Sequence, residues 1–122
     1  TNEKTLVANI NSSNIVLGLG LGFDTKDEKT VLERAGAENK WYGIKIGSKK
    51  NAPKNFMPSK ITIDQIITNL SKMKGGIINI VGNDISQLSK DGYTQKDINS
   101  YIYNILKGVS DGFTITKIIS KR

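Results

Sequence analysis

Residues 62–81 constrain the fold more than any other stretch of the chain. Ile63, Ile66, Ile67, Leu70 and Met73 recur with the period of a helix and form one apolar stripe. Thr62 with Gln65 makes a capping pattern at its start, and Gly75-Gly76 stops it near Lys74. The apolar run Ile77 to Val81 follows at once. A short run of that kind reads as a strand covered on both faces. A helix that ends on a glycine pair and passes straight into a buried strand calls for layers of helix and sheet.

The same alternation extends to both sides. Thr25 with Glu28 opens a helix whose face carries Val31, Leu32 and Ala35, closed by Gly36. Lys40 to Gly47 reads as a strand with Trp41 and Tyr42 on it. Thr94 with Asp97 opens a third helix, striped by Ile98, Tyr101, Ile102, Ile105 and Leu106 and closed by Gly108. Phe113 to Ser120 reads as a last strand. Asn14 to Phe23 is a glycine-weakened strand or an extended loop, residues 84–89 make one helical turn, and residues 1–13 are a short helix or a frayed lead-in. No repeat or linker divides the chain, so one domain over residues 1–122 is expected. The expected class is α+β, with three helices packed on a sheet of three to five strands. Its core draws on Val31, Leu32, Ile44, Ile46, Ile63, Ile66, Ile67, Leu70, Ile78, Ile80, Ile98, Ile102, Ile105, Ile115 and Ile118.

Composition narrows the chemistry. The 122 residues include no His and no Cys. That excludes a Cys/His zinc site, a disulfide frame, a thiol nucleophile and an imidazole acid or base. Neither a cofactor nor a metal is expected. No apolar run reaches the roughly 18–20 residues of a membrane helix. The chain starts without Met and reads as a domain excised from a longer protein or as a processed product.

The net charge is +7, and it is unevenly spread. Residues 1–39 carry a net −2 and residues 61–122 a net +3, whereas residues 40–60 hold six lysines and no acid. These are Lys40, Lys45, Lys49, Lys50, Lys54 and Lys60, the middle ones in a basic loop, Ser48 to Ser59, with Pro53 and Pro58. Such a block repels itself and stays in water, and its natural partner is a polyanion. Lys45, Lys49, Lys50, Lys54 and Lys60 beside Trp41 and Tyr42 therefore make a candidate RNA-binding surface. The bland alternative is a solvated loop in a lysine-rich chain.

RNA cleavage by its own 2′-hydroxyl needs in-line positioning, charge neutralisation and a proton acceptor and donor, but no protein nucleophile. Lys45, Tyr42, Thr114, Thr116 and Lys117 are the candidate catalytic residues, the last three expected together on the final strand. Two other patterns compete. Gly18-x-Gly20-x-Gly22 before a helix could cradle a phosphate, or could be an ordinary glycine-rich strand. Asp24 or Asp27 with Glu38-x-Lys40 follows the carboxylate pattern of Mg²⁺-dependent endonucleases. Tyr93, Tyr101 and Tyr103 are candidate platforms for bases, Tyr101 on the core stripe and Tyr103 off it.

The nine residues Lys90 to Ile98 (KDGYTQKDI) are similar to a turn-to-helix element of colicin-like tRNA-cleaving domains. In length, charge and mid-chain start, the sequence resembles the C-terminal toxin domains of bacterial polymorphic and contact-dependent growth-inhibition systems. The resemblance implies a helix-on-twisted-antiparallel-sheet fold of the barnase, EndoU, colicin and RelE group, whose RelE-like members work with Lys, Arg and Tyr. It further implies an antibacterial, metal-independent endoribonuclease acting on tRNA or another structured RNA. The implied partners are an acidic immunity protein capping the basic face and a host translation factor. The implied setting is delivery from the cell surface, or secretion, as part of a larger protein that acts in the target-cell cytoplasm. A non-catalytic basic module that binds nucleic acid or protein is the alternative from the residues alone.

Overall fold

The computed structural model describes residues 3–47 and 59–120. In chain order these form α1 (Glu3–Ser12), β1 (Ile15–Gly20), α2 (Lys26–Ala37), β2 (Trp41–Lys45), α3 (Lys60–Met73), β3 (Ile77–Gly82), α4 (Ile85–Ser89), α5 (Gln95–Ser110) and β4 (Lys117–Ser120). This is one small mixed helix-and-sheet domain, as the alternating pattern implies. The three helices legible in the sequence are α2, α3 and α5. The four strands lie in the order β2-β1-β3-β4, and each pairing is parallel. The parallel direction differs from the antiparallel sheet that the toxin resemblance implies. Its cause is local: between successive strands a helix carries the chain back, so the next strand starts again from the same end.

Right-handed crossovers then decide which face each helix covers. The step from β1 to β2 goes one way across the sheet, and the steps from β2 to β3 and on to β4 go the other way. So α2 covers one face, and α3 and α5 cover the opposite one. Ile15, Leu17 and Leu19 of β1 join Ile44, Ile78 and Ile80 under α3 and α5, against Ile66, Leu70, Ile98, Tyr101 and Ile105. On the other face Val16 packs with Leu6 and Ile10 of α1 and Val31 and Ala35 of α2, with Trp41 and Val81 at the margin. β1 is buried throughout because it has a strand on each side and helices on both faces.

Two of its glycines are required there. A Cβ at Gly18 would overlap the Trp41 ring, and one at Gly20 would overlap the Asn83 amide. The Trp41 ring fills the space above Gly18, with Phe23 edge-on to it at a centroid distance of 5.1 Å.

The caps at Thr25 and Thr94 form as the spacing predicts. Thr25 Oγ1 accepts from Glu28 N at 3.2 Å, and Thr94 Oγ1 accepts from Asp97 N at 3.2 Å. Other expectations need correction. α3 starts earlier than Thr62, because Ser59 takes the cap and its hydroxyl accepts from Thr62 N at 3.2 Å. Its left-handed stop is Lys74, at φ 54°, one residue before the glycine pair. The last strand is only Lys117–Ser120, so Thr114 and Thr116 lie in the connection that precedes it. Ile118 is not core: it is 46% exposed, because β4 is an edge strand with a neighbour on one side only. Leu32, Ile63, Ile67, Ile102 and Ile115 are half-buried, and all but Leu32 pack against the main cluster. Among the described residues no helix is long and apolar enough to cross a membrane.

Candidate functional site

Chain direction creates a crevice in this sheet. From β1 the chain turns toward α2 on one face, and from β3 it turns toward α4 and α5 on the other. The two loops therefore part at the C-terminal ends of adjacent strands. In open parallel sheets ligands bind at such a reversal point. A cleft of about 510 Å³ lies here, lined by Phe23, Val31, Trp41 and Val81 on its apolar side and by Thr25, Asp27, Glu28, Asn83, Asp84, Gln87 and Gln95 on its polar side. Its volume falls within the roughly 300–1,000 Å³ of small-ligand sites.

One buried side chain holds the two loops in register. Asn83 Oδ1 accepts from Leu21 N at 2.7 Å, and its Nδ2 donates to Gly22 O and to Glu28 Oε2, each at 2.7 Å. Thr25 N donates to the other Glu28 oxygen at 3.0 Å. The Glu28 carboxylate is thus fixed from two directions at the first turn of α2, with an acceptor direction left on each oxygen. Gly20-x-Gly22 serves this contact, since Gly20 leaves room for Asn83. The phosphate-cradle reading of these glycines does not fit a loop whose Leu21 N–H is already given to Asn83. Among the described residues no Lys or Arg lines the cleft, and these residues do not suit a phosphate in its interior.

The residues singled out by sequence fall into three groups. Trp41 lines the cleft. Lys45 pairs in register with Gly20, and Lys60 opens α3, so both stand exposed at the C-terminal end of the sheet. Lys49, Lys50 and Lys54 lie outside the described residues. Thr114, Thr116 and Lys117 are elsewhere: they precede or open β4, at the N-terminal end of the sheet and on the opposite edge from β2. Three strand spacings, about 14 Å, separate the two edges before the offset along the strands is added. Thr116 N donates to Gly76 O at 2.9 Å, a contact that seats the strand. Lys45 and Lys117 therefore do not share a site.

Tyr42 faces α3. Its hydroxyl donates to Gln65 O at 3.3 Å, and burial raises its pKa, opposed by a hydrogen bond with Asn69. A phenol held that way remains a neutral donor at pH 7 and makes a poor proton acceptor. Tyr93 is buried and stacks edge-on with Tyr101, which is also buried, so neither is offered to a base. Tyr103, at 64% exposure, is.

The first lysine of the basic block has a structural task. Lys40 Nζ donates to Ile10 O near the end of α1, at 3.1 Å, and pairs with Glu38 at 3.2 Å. Although Glu38 and Lys40 pair, the first carboxylate of the Asp…Glu-x-Lys pattern is remote from them. Asp27 and Glu38 stand at opposite ends of α2, eleven residues or about 16 Å apart along the axis. Among the described residues no three Asp or Glu side chains gather closely enough to hold a metal ion.

Asn83 and Glu28 are the site residues that sequence reading missed. They are 55 positions apart, and each alone looks like a loop amide and a helix cap. The available signal was the strand–helix alternation itself, which points to the loops after the first and third strands. No protein-family model, no curated protein and no solved structure matches the chain.

Proposed function

We propose that the C-terminal end of the sheet binds RNA, with one nucleotide unit in the cleft and phosphates on the lysines beside it. The domain then acts as an antibacterial toxin: a metal-independent endoribonuclease on tRNA or another structured RNA, held in check by an acidic immunity protein. The observation that carries this reading is a cleft lined by Trp41, with the exposed Lys45 and Lys60 outside it at the C-terminal end of the same sheet. Both lysines belong to the acid-free block of residues 40–60. In this arrangement lysine ammonium groups neutralise the phosphorane, and a carboxylate of the cleft rim, Asp27 or Asp84, accepts the 2′-hydroxyl proton. Thr114, Thr116 and Lys117 have no part in it.

Incubation with total tRNA in EDTA, followed by gel separation, tests the reading. Discrete fragments that persist in EDTA are expected. A Lys45→Glu/Lys60→Glu variant should bind tRNA more weakly and flatten the log–log salt dependence by about 0.7 per lost single-strand contact. Unchanged tRNA binding by that variant would sink the proposal. The separation of Lys45 from Thr114, Thr116 and Lys117 favours a second reading, a non-catalytic RNA-binding module. A shifted but intact tRNA band would select it.

A further inference from the structure

Among the described residues the cleft is lined by a fixed carboxylate and by no cation, which is unusual for a surface meant to hold a polyanion. Phosphates belong outside it, toward Lys45. Inside it the strongest fixed acceptor is Glu28, whose two oxygens are held by Thr25 N and by the amide of Asn83, itself only 5% exposed. A carboxylate with one acceptor direction left on each oxygen matches two donors on adjacent atoms. The apolar side formed by Phe23, Trp41 and Val81 matches a flat ring. We propose that the cleft binds a ribonucleoside with a free 2′,3′-diol, the two hydroxyls donating to Glu28 and the base lying against the aromatic side.

This rests on the reading of the cleft as a nucleotide site and narrows its occupant to a unit with no 3′-phosphate, so that any linkage cut lies on the 5′ side of that unit and the attacking 2′-hydroxyl belongs to the preceding nucleotide at the rim. Within an RNA chain the 3′-oxygen is esterified, so an internal nucleotide offers Glu28 one hydroxyl. A free diol has two sources, the 3′ end of an RNA and a free nucleoside or nucleotide. Asn83 is a positioning residue here, since it acts through Glu28.

The single tryptophan lines the cleft, so intrinsic fluorescence of the whole chain reports occupancy. The probes are the four ribonucleosides with their 2′-deoxy and 3′-deoxy counterparts. A short RNA ending in a free diol is compared with the same RNA carrying a 3′-phosphate. At least one ribonucleoside should change the emission, and losing either hydroxyl should weaken its binding about tenfold or more. Glu28→Gln should abolish that hydroxyl preference; the comparison of ligands on the unaltered protein stands even if this variant does not fold. Equal binding of ribo- and deoxynucleosides, or no response to any nucleoside, overturns the proposal. Weaker binding of the 3′-phosphorylated RNA assigns the site to RNA ends, and equal binding of the two RNAs alongside hydroxyl-dependent nucleoside binding assigns it to free ligands. Failure of the functional reading looks different: tRNA is neither bound nor cut while the diol preference persists.

Discussion

Among the described residues the Asn83 amide bonds to Leu21 N, Gly22 O and Glu28 Oε2, the first two on the backbone of the loop after β1. Both of its polar atoms are in use, so neither loop can move without breaking a bond. Removing the amide leaves the Leu21 N–H and the Gly22 carbonyl short of a partner in a part-buried setting. Asn83→Ala should therefore cost about 2–3 kcal/mol, read as a lower urea midpoint at unchanged slope. Asn83→Asp, though nearly isosteric, should be no milder. It replaces the donor that faces Glu28 by an oxygen and sets two carboxylates against each other. A stability within about 0.5 kcal/mol of the parent for both variants would mean the loops are held by something else.

The helices α2, α3 and α5 were legible because each carries its own caps and its own stripe. On α3 the stripe sorts exposure sharply: Ile66 is fully buried, while Ile61 is 71% exposed. Ile66→Ala should lower stability by about 2–5 kcal/mol, and Ile61→Ala by under about 0.5 kcal/mol, both readable from thermal or urea unfolding. Equal effects would show that the wrong face had been assigned. Strands were legible only in part. Ile77 to Val81 announced itself as buried on both faces, and the structure gives Ile77–Gly82. β1 was obscured because Gly18 and Gly20 look like loop residues until Trp41 and Asn83 are seen to occupy the space above them. Strand order and direction were not legible, since they follow from crossover geometry between elements and leave no mark on any one of them. The cleft was missed for the same reason. The placement of Thr114 and Thr116 on the last strand failed on a boundary: a β-branched stretch before a strand resembles the strand.

For the whole molecule, the buried Tyr93 and the half-buried Tyr42 make stability depend on pH in the alkaline range. Burial raises both phenols; at Tyr93 Tyr101, Asp91 and Asp97 add to the rise, and at Tyr42 Asn69 opposes it. A raised folded pKa means that the native state holds its proton longer than the unfolded chain. That share of stability is complete below about pH 10 and is lost as pH climbs from there through the folded values. The urea midpoint should thus be flat near pH 9 on this account and fall as pH rises above about 10. Tyr93→Phe should start from a lower plateau, because its hydroxyl bond to Gly47 O is gone, and should fall less steeply. A midpoint that rises with pH in that window would contradict the assignment. The seating of β1 between β2 and β3 has a further consequence, for synthesis. The strand made first is one of the two inner strands, and its second neighbour is not complete until residue 82. Until then Ile15, Leu17 and Leu19 lack part of their cover, and one side of β1 offers unpaired backbone groups to other chains. A chain ending at Lys74 should accordingly scatter light and sediment under conditions in which the full chain stays monodisperse.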